Sequence, residues 1–233
     1  PPPSSEPRLQ GSRCLPWSPR FTVSTFAAAL RYRHVPFPAR IDPEALGDVA
    51  LAVVESRGFD AWSLRDVARE LGVSPNALYR HVGSREGLLV EAGARAAEAL
   101  AATLRRGGLP PPGHERAIAI ARRYVRFGLR RPHAYAAIMS AKPELDHPRI
   151  GPWLSLWAVV QDEVAAIVPG AADAAAFALW ALVHGRVQLA AGPARTVSAE
   201  AGLDDAVRAL LTGFEVAAPI PSPLPPELSH RPR

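Results

Sequence analysis

From residue 41 onward the apolar positions fall into a helical rhythm. Leu46, Val49, Ala50, Val53 and Val54 recur at i, i+3, i+4, i+7 and i+8, one face of a helix. Asp42-Pro43 supplies an N-cap and a first-turn proline, and Arg57-Gly58 a stop. Ser63, with Asp66 three residues on, opens a second helix whose apolar face is Leu64, Val67, Ala68 and Leu71. Gly72-Val73 turns the chain, and Ser74-Pro75 caps a short third helix reaching His81. Ser84 caps a long fourth helix that runs to Arg106, where Gly107-Gly108 and a triple proline end it. Further helices are expected over 113–130, 132–139, 150–168, 171–191 and 199–216, the last with Leu203, Val207, Leu210, Leu211 and Phe214 on one face. Nine helices and no convincing strand make the expected fold class all-α.

Composition adds boundaries. Of 25 prolines, eight lie in residues 1–40 and six in 217–233, and neither stretch sustains a period beyond a possible short helix at 21–32. Both are expected to be disordered or loosely attached. The formal net charge of +5 is unevenly placed: residues 1–40 hold six Arg against one acid, and the rest of the chain is balanced. Residues 42–92 are acidic, with five Arg against nine acids. The single Cys14 leaves no internal disulfide and no CxxC site. The longest apolar run, 174–183, has ten residues, too few to span a bilayer, and no secretory signal opens the chain. The expectation is a cytoplasmic protein without a membrane partner.

The segment 63–81 carries the chemistry. Two short amphipathic helices joined by Leu71-Gly72-Val73 are what a helix-turn-helix requires, with Val67, Ala68, Leu71, Val73 and Leu78 packing the pair. The second helix presents Ser74, Asn76, Tyr79, Arg80 and His81, all hydrogen-bond donors and none an acid. Such a face suits phosphates, and an Asn amide can read adenine. On spacing alone, an ordinary solvated helix face fits equally well.

The stretch Leu71-Gly-Val-Ser-Pro-Asn-Ala-Leu-Tyr-Arg-His-Val-Gly-Ser-Arg-Glu-Gly-Leu-Leu89 resembles the DNA-binding domain of TetR-like transcriptional regulators, with Arg85 where that family usually has Lys. The resemblance implies that Ser63 and Arg65 grip phosphate and that Pro75, Asn76 and Ala77 face base edges. Tyr79 and His81 then flank them as phosphate clamps, with Ser74 and Arg80 on the same face. Arg85, at the N-terminus of the fourth helix, matches a further backbone contact. It implies a three-helix helix-turn-helix DNA-binding domain over 41–90 and a larger helical-bundle ligand-binding and dimerisation domain over 91–216. The arm 1–40 and the tail 217–233 flank these. The basic arm would offset the acidic head by reaching DNA itself.

The second half is similar to a branch of that family marked by a Trp-His-Gly signature, here Trp180-Ala-Leu-Val-His184-Gly185, with Pro132–Met139 also similar. Gly185 would allow close helix approach. His184 has two readings, a hydrogen bond inside the bundle or contact with a ligand. Tyr124, Phe127, Tyr135, Met139, Trp153, Trp157, Phe177, Trp180 and His184 are the candidate ligand-binding residues, and such a lining implies a flat, apolar or aromatic effector. Among Arg122, Arg123, Arg126, Arg130 and Arg131, one turned inward would favour a carboxylated effector. By resemblance, the last two helices pair with their twins in a homodimer through the Leu203, Val207, Leu210, Leu211 and Phe214 stripe. A two-fold dimer calls for a palindromic double-stranded DNA operator.

No G-K-[ST] loop, GxGxxG, HExxH or GxSxG occurs, and the seven His show no metal-ligand spacing, so no catalytic residue, metal or cofactor is assigned. The expected function is a ligand-responsive transcriptional regulator, a repressor rather than an enzyme. A DNA-binding regulator without an effector is the alternative, and an all-helical enzyme a more distant one.

Overall fold

The computed structural model describes residues 41–141, 143–192 and 198–217. The arm 1–40, its possible helix at 21–32, and the tail from 218 lie outside the described residues, as does Lys142. Among the described residues the chain forms α1 (Pro43–Arg57), α2 (Leu64–Glu70), α3 (Pro75–Val82), α4 (Arg85–Arg105), α5 (His114–Arg130), α6 (Pro132–Ser140), α7 (Gly151–Ala165), α8 (Ala172–Ala191) and α9 (Leu203–Val216), and no strand. The caps read from sequence are made: Asp42 accepts from the Glu44 N–H at 3.1 Å, Ser74 from Ala77 at 3.2 Å, and Ser84 from Gly87 at 3.1 Å.

Two apolar cores organise these helices. In the head, Leu46, Ala50 and Val54 of α1, Val67 and Ala68 of α2, Leu78 of α3 and Leu88 of α4 are all fully buried. In the bundle, Leu100 and Leu104 of α4, Val125 of α5, Val164 of α7 and Ala175 of α8 are likewise fully buried. The two cores touch. Ala137 of α6 and Ala141, just past its end, belong to the head's core, and Trp153 of α7 packs against both cores.

Three elements depart from the sequence reading. α7 stops at Ala165 rather than 168, and a separate 3₁₀ turn, Pro169–Ala171, precedes α8. α9 begins at Leu203 rather than 199, because Gly202 takes φ +62°, a left-handed value that interrupts the helix. The stripe assigned to the dimer is the third correction. Leu203, Val207 and Leu211 are fully buried within the subunit, with Leu210 and Phe214 half-buried against the same core. The apolar face of α9 therefore packs on its own subunit's α5 and α8.

The stretch Pro169–Ala191, 23 residues holding an 18-residue window of mean hydropathy 1.3, is long and apolar enough to cross a membrane, which the uninterrupted ten-residue run had concealed. Its apolarity has a use inside the fold: Ala174, Ala175, Leu179, Val183 and Val187 bury one face of α8 in the bundle.

Candidate functional site

In the head, Ser63 and Asp66 close a reciprocal capping box. The Asp66 N–H donates to the Ser63 hydroxyl at 3.3 Å, and the Ser63 N–H donates to the Asp66 carboxylate at 3.1 Å. The Ser63 hydroxyl hydrogen bond, followed by the one from Arg69, holds the Asp66 carboxyl below its ordinary value. Trp62, just before the cap, is 3% exposed and belongs to the same core as Val67. That is the arrangement of a hydrophobic staple, whose N′ and N4 positions were readable in the sequence but were not singled out there. Gly72, at φ +68°, turns the chain so that the Val73 N–H reaches the Ala68 carbonyl at 2.9 Å.

α3 is thereby held by fully buried Leu78 while its other side faces outward. Pro75, Asn76, Tyr79, Arg80 and His81 are exposed, Ser74 and Ala77 half-buried, and Ser74, Asn76, Tyr79 and Arg80 share a shallow concave surface. Tyr79 leaves 48% of its surface open, a conspicuous exposure for an aromatic side chain with no protein partner to cover it. Arg65 is exposed at the start of α2. Arg85 is exposed at the start of α4, its guanidinium 4.2 Å from the centre of the Trp62 ring. That cation–π contact fixes where its charge sits. The ten residues assigned to DNA are spread from the cap of α2 to the first residue of α4, and Ser74, Asn76, Tyr79 and Arg80 are the ones seen to share a surface.

The bundle encloses a cavity of about 650 Å³. Of the nine candidate ligand residues, Tyr124, Met139, Trp153, Trp157, Phe177, Trp180 and His184 line it. Phe127 and Tyr135 do not. Phe127 is buried in the bundle core with the Arg131 guanidinium 5.2 Å from its ring centre, and Tyr135 lies behind the wall as a hydrogen-bonding support. Ile138, Leu145, Ile150, Leu154, Leu156 and Val160, with Ala141 and Pro143, add apolar lining that an aromatic count alone did not select.

A polar chain runs behind this wall. The Tyr124 and Tyr135 hydroxyls are 3.1 Å apart, and the Tyr135 hydroxyl is 2.6 Å from His184 Nδ1. Burial pushes Tyr124 up to about 12, raises Tyr135 further and lowers His184, so the chain is neutral at ordinary pH. The His184 ring also stacks on Trp180, with centroids 5.2 Å apart at 19°. His184 is therefore hydrogen-bonded within the bundle and is also part of the cavity wall. At Gly185, in contrast, a Cβ would meet nothing within 4 Å among the described residues. Close approaches lie elsewhere: at Gly128 of α5 a Cβ would lie 2.7 Å from Val187 Cγ1, and at Gly93 of α4 it would lie 2.9 Å from each of the Ala137 carbonyl, the Ala141 Cβ and the Trp153 ring.

None of the five α5-region arginines turns into the cavity. Arg122 pairs with Asp204, Arg126 with Glu200 at 2.9 Å and Arg131 with Glu55 at 2.7 Å, while Arg123 caps carbonyls from Thr103 to Gly107 and Arg130 is exposed. The Arg131–Glu55 pair joins α6 to α1, and beside it the Phe59 N–H donates to His133 Nδ1 at 3.2 Å. Sequence reasoning missed this seam because its partners lie more than seventy residues apart. Among the described residues no group of His, Cys, Asp and Glu is arranged to hold a metal ion.

Comparison with known proteins gives the same two-part division. Residues 46–92 match the family described as bacterial regulatory proteins, tetR family, and residues 117–214 match the tetracyclin repressor-like C-terminal domain. No curated protein matches the chain. Among solved structures, a protein of unknown function from Rhodococcus sp. RHA1 is 23% identical, with a TM-score of 0.60, covering 76% of this chain and 96% of its own. A possible TetR family transcriptional regulator from Streptomyces coelicolor A3(2) is 17% identical, with a TM-score of 0.55 and coverage of 74% and 98%. A TetR variant from Acinetobacter baumannii AYE in complex with minocycline is 23% identical, with a TM-score of 0.54 and coverage of 76% and 97%. At these identities the likeness is one of fold.

Proposed function

The chain belongs to the tetR family of bacterial regulatory proteins, and from that premise we propose that it is a cytoplasmic, ligand-responsive transcriptional repressor. On this reading it binds a palindromic operator as a homodimer and releases it when a small apolar or aromatic effector fills the bundle cavity. The observation that carries the reading is the sharing of α4. One end of that helix is held in the head's core beside α3, and the other packs on the helices that wall the cavity. The acid-free outward face of α3 is the reader. Asn76 faces base edges there, and Tyr79, Arg80, His81 and Arg85 contact the backbone.

The dimer face we propose differs from the buried stripe of α9. Ala181, Leu182, Gly185 and Leu189 of α8, with Ala206, Ala209, Leu210 and Gly213 of α9, are small or apolar and are exposed or half-buried. Leu189 alone leaves 65% of its surface open. Small residues at this spacing let helices approach closely, which gives Gly185 a role between subunits. We also read the Trp180–His184 stack as the structural core of the Trp-His-Gly branch. Effector binding shifts a two-state equilibrium away from the head separation, about 34–36 Å, that fits successive major-groove faces.

The test is fluorescence anisotropy with DNA from upstream of the protein's own coding region, comparing wild type with Tyr79→Ala across a salt series. Tight, salt-sensitive binding that the substitution weakens is the expected result. Equal binding by both proteins, or binding indifferent to sequence, would overturn the assignment of α3 as the reader.

A further inference from the structure

The cavity's polar groups identify the class of molecule it takes. Among the described residues that line it, none is charged: the only polar side chains are Tyr124, Ser140, Trp153, Trp157, Trp180, His184 and Gln188. Its mouth is apolar as well. Leu145, Leu154 and Phe177 are 47%, 38% and 41% exposed, yet all three belong to the lining. An ammonium entering here would lose its hydration without gaining an ionic partner from these residues.

The direction of the buried hydrogen-bond chain fixes what His184 offers. Tyr124 is 2% exposed, and among the described residues the Tyr135 hydroxyl is the acceptor within reach of its hydrogen. Tyr135 then donates to His184 Nδ1, and every hydroxyl hydrogen in the chain has an acceptor. The reverse order would leave the Tyr124 hydrogen without one, in a residue only 2% exposed. His184 is therefore the tautomer with hydrogen on Nε2, a donor on a ring that lines the cavity. The Trp157 indole N–H is buried with no acceptor among the described residues, so a turn of that ring towards the cavity would gain a hydrogen bond from an acceptor-bearing ligand. Trp153 donates elsewhere, to the Ile138 carbonyl at 3.1 Å.

We propose that the cavity takes an uncharged, flat aromatic or polycyclic molecule whose ketone, quinone or lactone oxygen accepts a hydrogen bond from His184 Nε2–H, stacked among Phe177, Trp180 and Trp157. The inference rests on the reading of this cavity as the effector site, and it is narrower: a cation of the same shape is rejected.

Three probes with one skeleton test it: 2-acetylnaphthalene, 2-ethylnaphthalene and 2-naphthylmethylammonium, titrated calorimetrically into the full chain. The ketone should bind about three- to tenfold more tightly than the ethyl compound, the worth of one neutral hydrogen bond, and at least about tenfold more tightly than the ammonium. His184→Phe keeps a flat ring on Trp180 and should erase the ketone's advantage over the ethyl compound. Equal or tighter binding of the ammonium, equal binding of ketone and ethyl compound by wild type, or no binding of any probe would each overturn the proposal. The wild-type order needs no variant, so it stands as a test even if His184→Phe does not fold. Operator affinity measured with the bound ketone separates the two levels. Selective binding without any change in DNA affinity would leave the ligand class intact and refute the effector reading.

Discussion

Gly93→Ala isolates the contact through which the cavity wall rests on α4. In an ordinary helix interior this change is stabilising by about 1 kcal/mol, because alanine loses less backbone freedom on folding. Here the new methyl would lie 2.9 Å from three atoms, the Ala137 carbonyl oxygen, the Ala141 Cβ and Trp153 Cζ2. Two of the three belong to the α6 segment close to its backbone and cannot turn away. The third belongs to an indole tethered through its N–H to the Ile138 carbonyl at 3.1 Å. Overpacking of this kind costs about 1–3 kcal/mol, which exceeds the propensity gain over most of its range. The expected net is a loss of about 1 kcal/mol.

Urea unfolding at fixed protomer concentration reads the sign, as a midpoint lowered by roughly 0.5 M with an unchanged slope. Trp153→Leu in the same chain should relieve part of the clash, so the double variant should be more stable than the two single losses added together. A midpoint that rises by the amount expected for a free helical glycine would refute the packing, and with it the claim that Trp153 presses on α4.

Other consequences are simpler to state. Ser74→Ala removes the side-chain cap of α3 and should cost about 1 kcal/mol of stability, with Ser74→Gly milder; equal stability of all three proteins in urea would count against the cap. Arg80→Ala should weaken operator binding and lower the salt slope by about one unit without altering the unfolding midpoint, and an unchanged slope would remove Arg80 from the phosphate contacts. Arg131→Ala breaks the pair between α6 and α1, in which the two side chains are 36% and 32% exposed. Stability should fall by less than about 1 kcal/mol, while the ratio of operator affinities with and without effector shrinks; an unchanged ratio would clear that seam of any part in the coupling. Burial lowers His184 from its ordinary 6.5, so the folded protein resists a proton that the unfolded chain accepts. Its contribution is present above that value and is lost as pH falls through the lower folded value. Thermal unfolding of wild type and His184→Asn should therefore converge on acidification below pH 6.5, and a constant difference across that range would contradict the lowered value.

The head was more legible than the bundle, for a physical reason. Its contacts are short-range in sequence. Ser63 with Asp66, Ser74 with Ala77, and the Gly72 turn are satisfied within a few residues, so residue type and spacing suffice to place them. In the bundle, periodicity shows that a helix has an apolar face but not what covers it. The α9 stripe was read as an intersubunit face, although Leu203, Val207 and Leu211 meet their own subunit's core. Two glycines show the same limit. Gly185 stood beside a signature and Gly93 beside nothing, yet only Gly93 lies under another helix. The Arg131–Glu55 pair and the His133 contact with Phe59 join residues with no local signal at either end.

Those long-range contacts also bear on how far an effector's influence must travel. The boundary drawn at residue 90 separates two sequence motifs, but the cores on either side share α6 and Trp153. Met139 of α6 and Trp153 of α7 line the cavity, and the other end of α6 is pinned to the head by Arg131 and His133. A nine-residue helix therefore reaches from the ligand wall to α1, with no intervening chain of side chains to relay a signal. On the proposed reading, a ligand that displaces Trp153 or Met139 pushes on α4 and α6 together. Packed helices respond to such a push by changing between discrete seatings rather than by bending. A differential affinity of only a few kcal/mol between two seatings is enough to empty the operator, so a coupling this short leaves no need for the head to unfold.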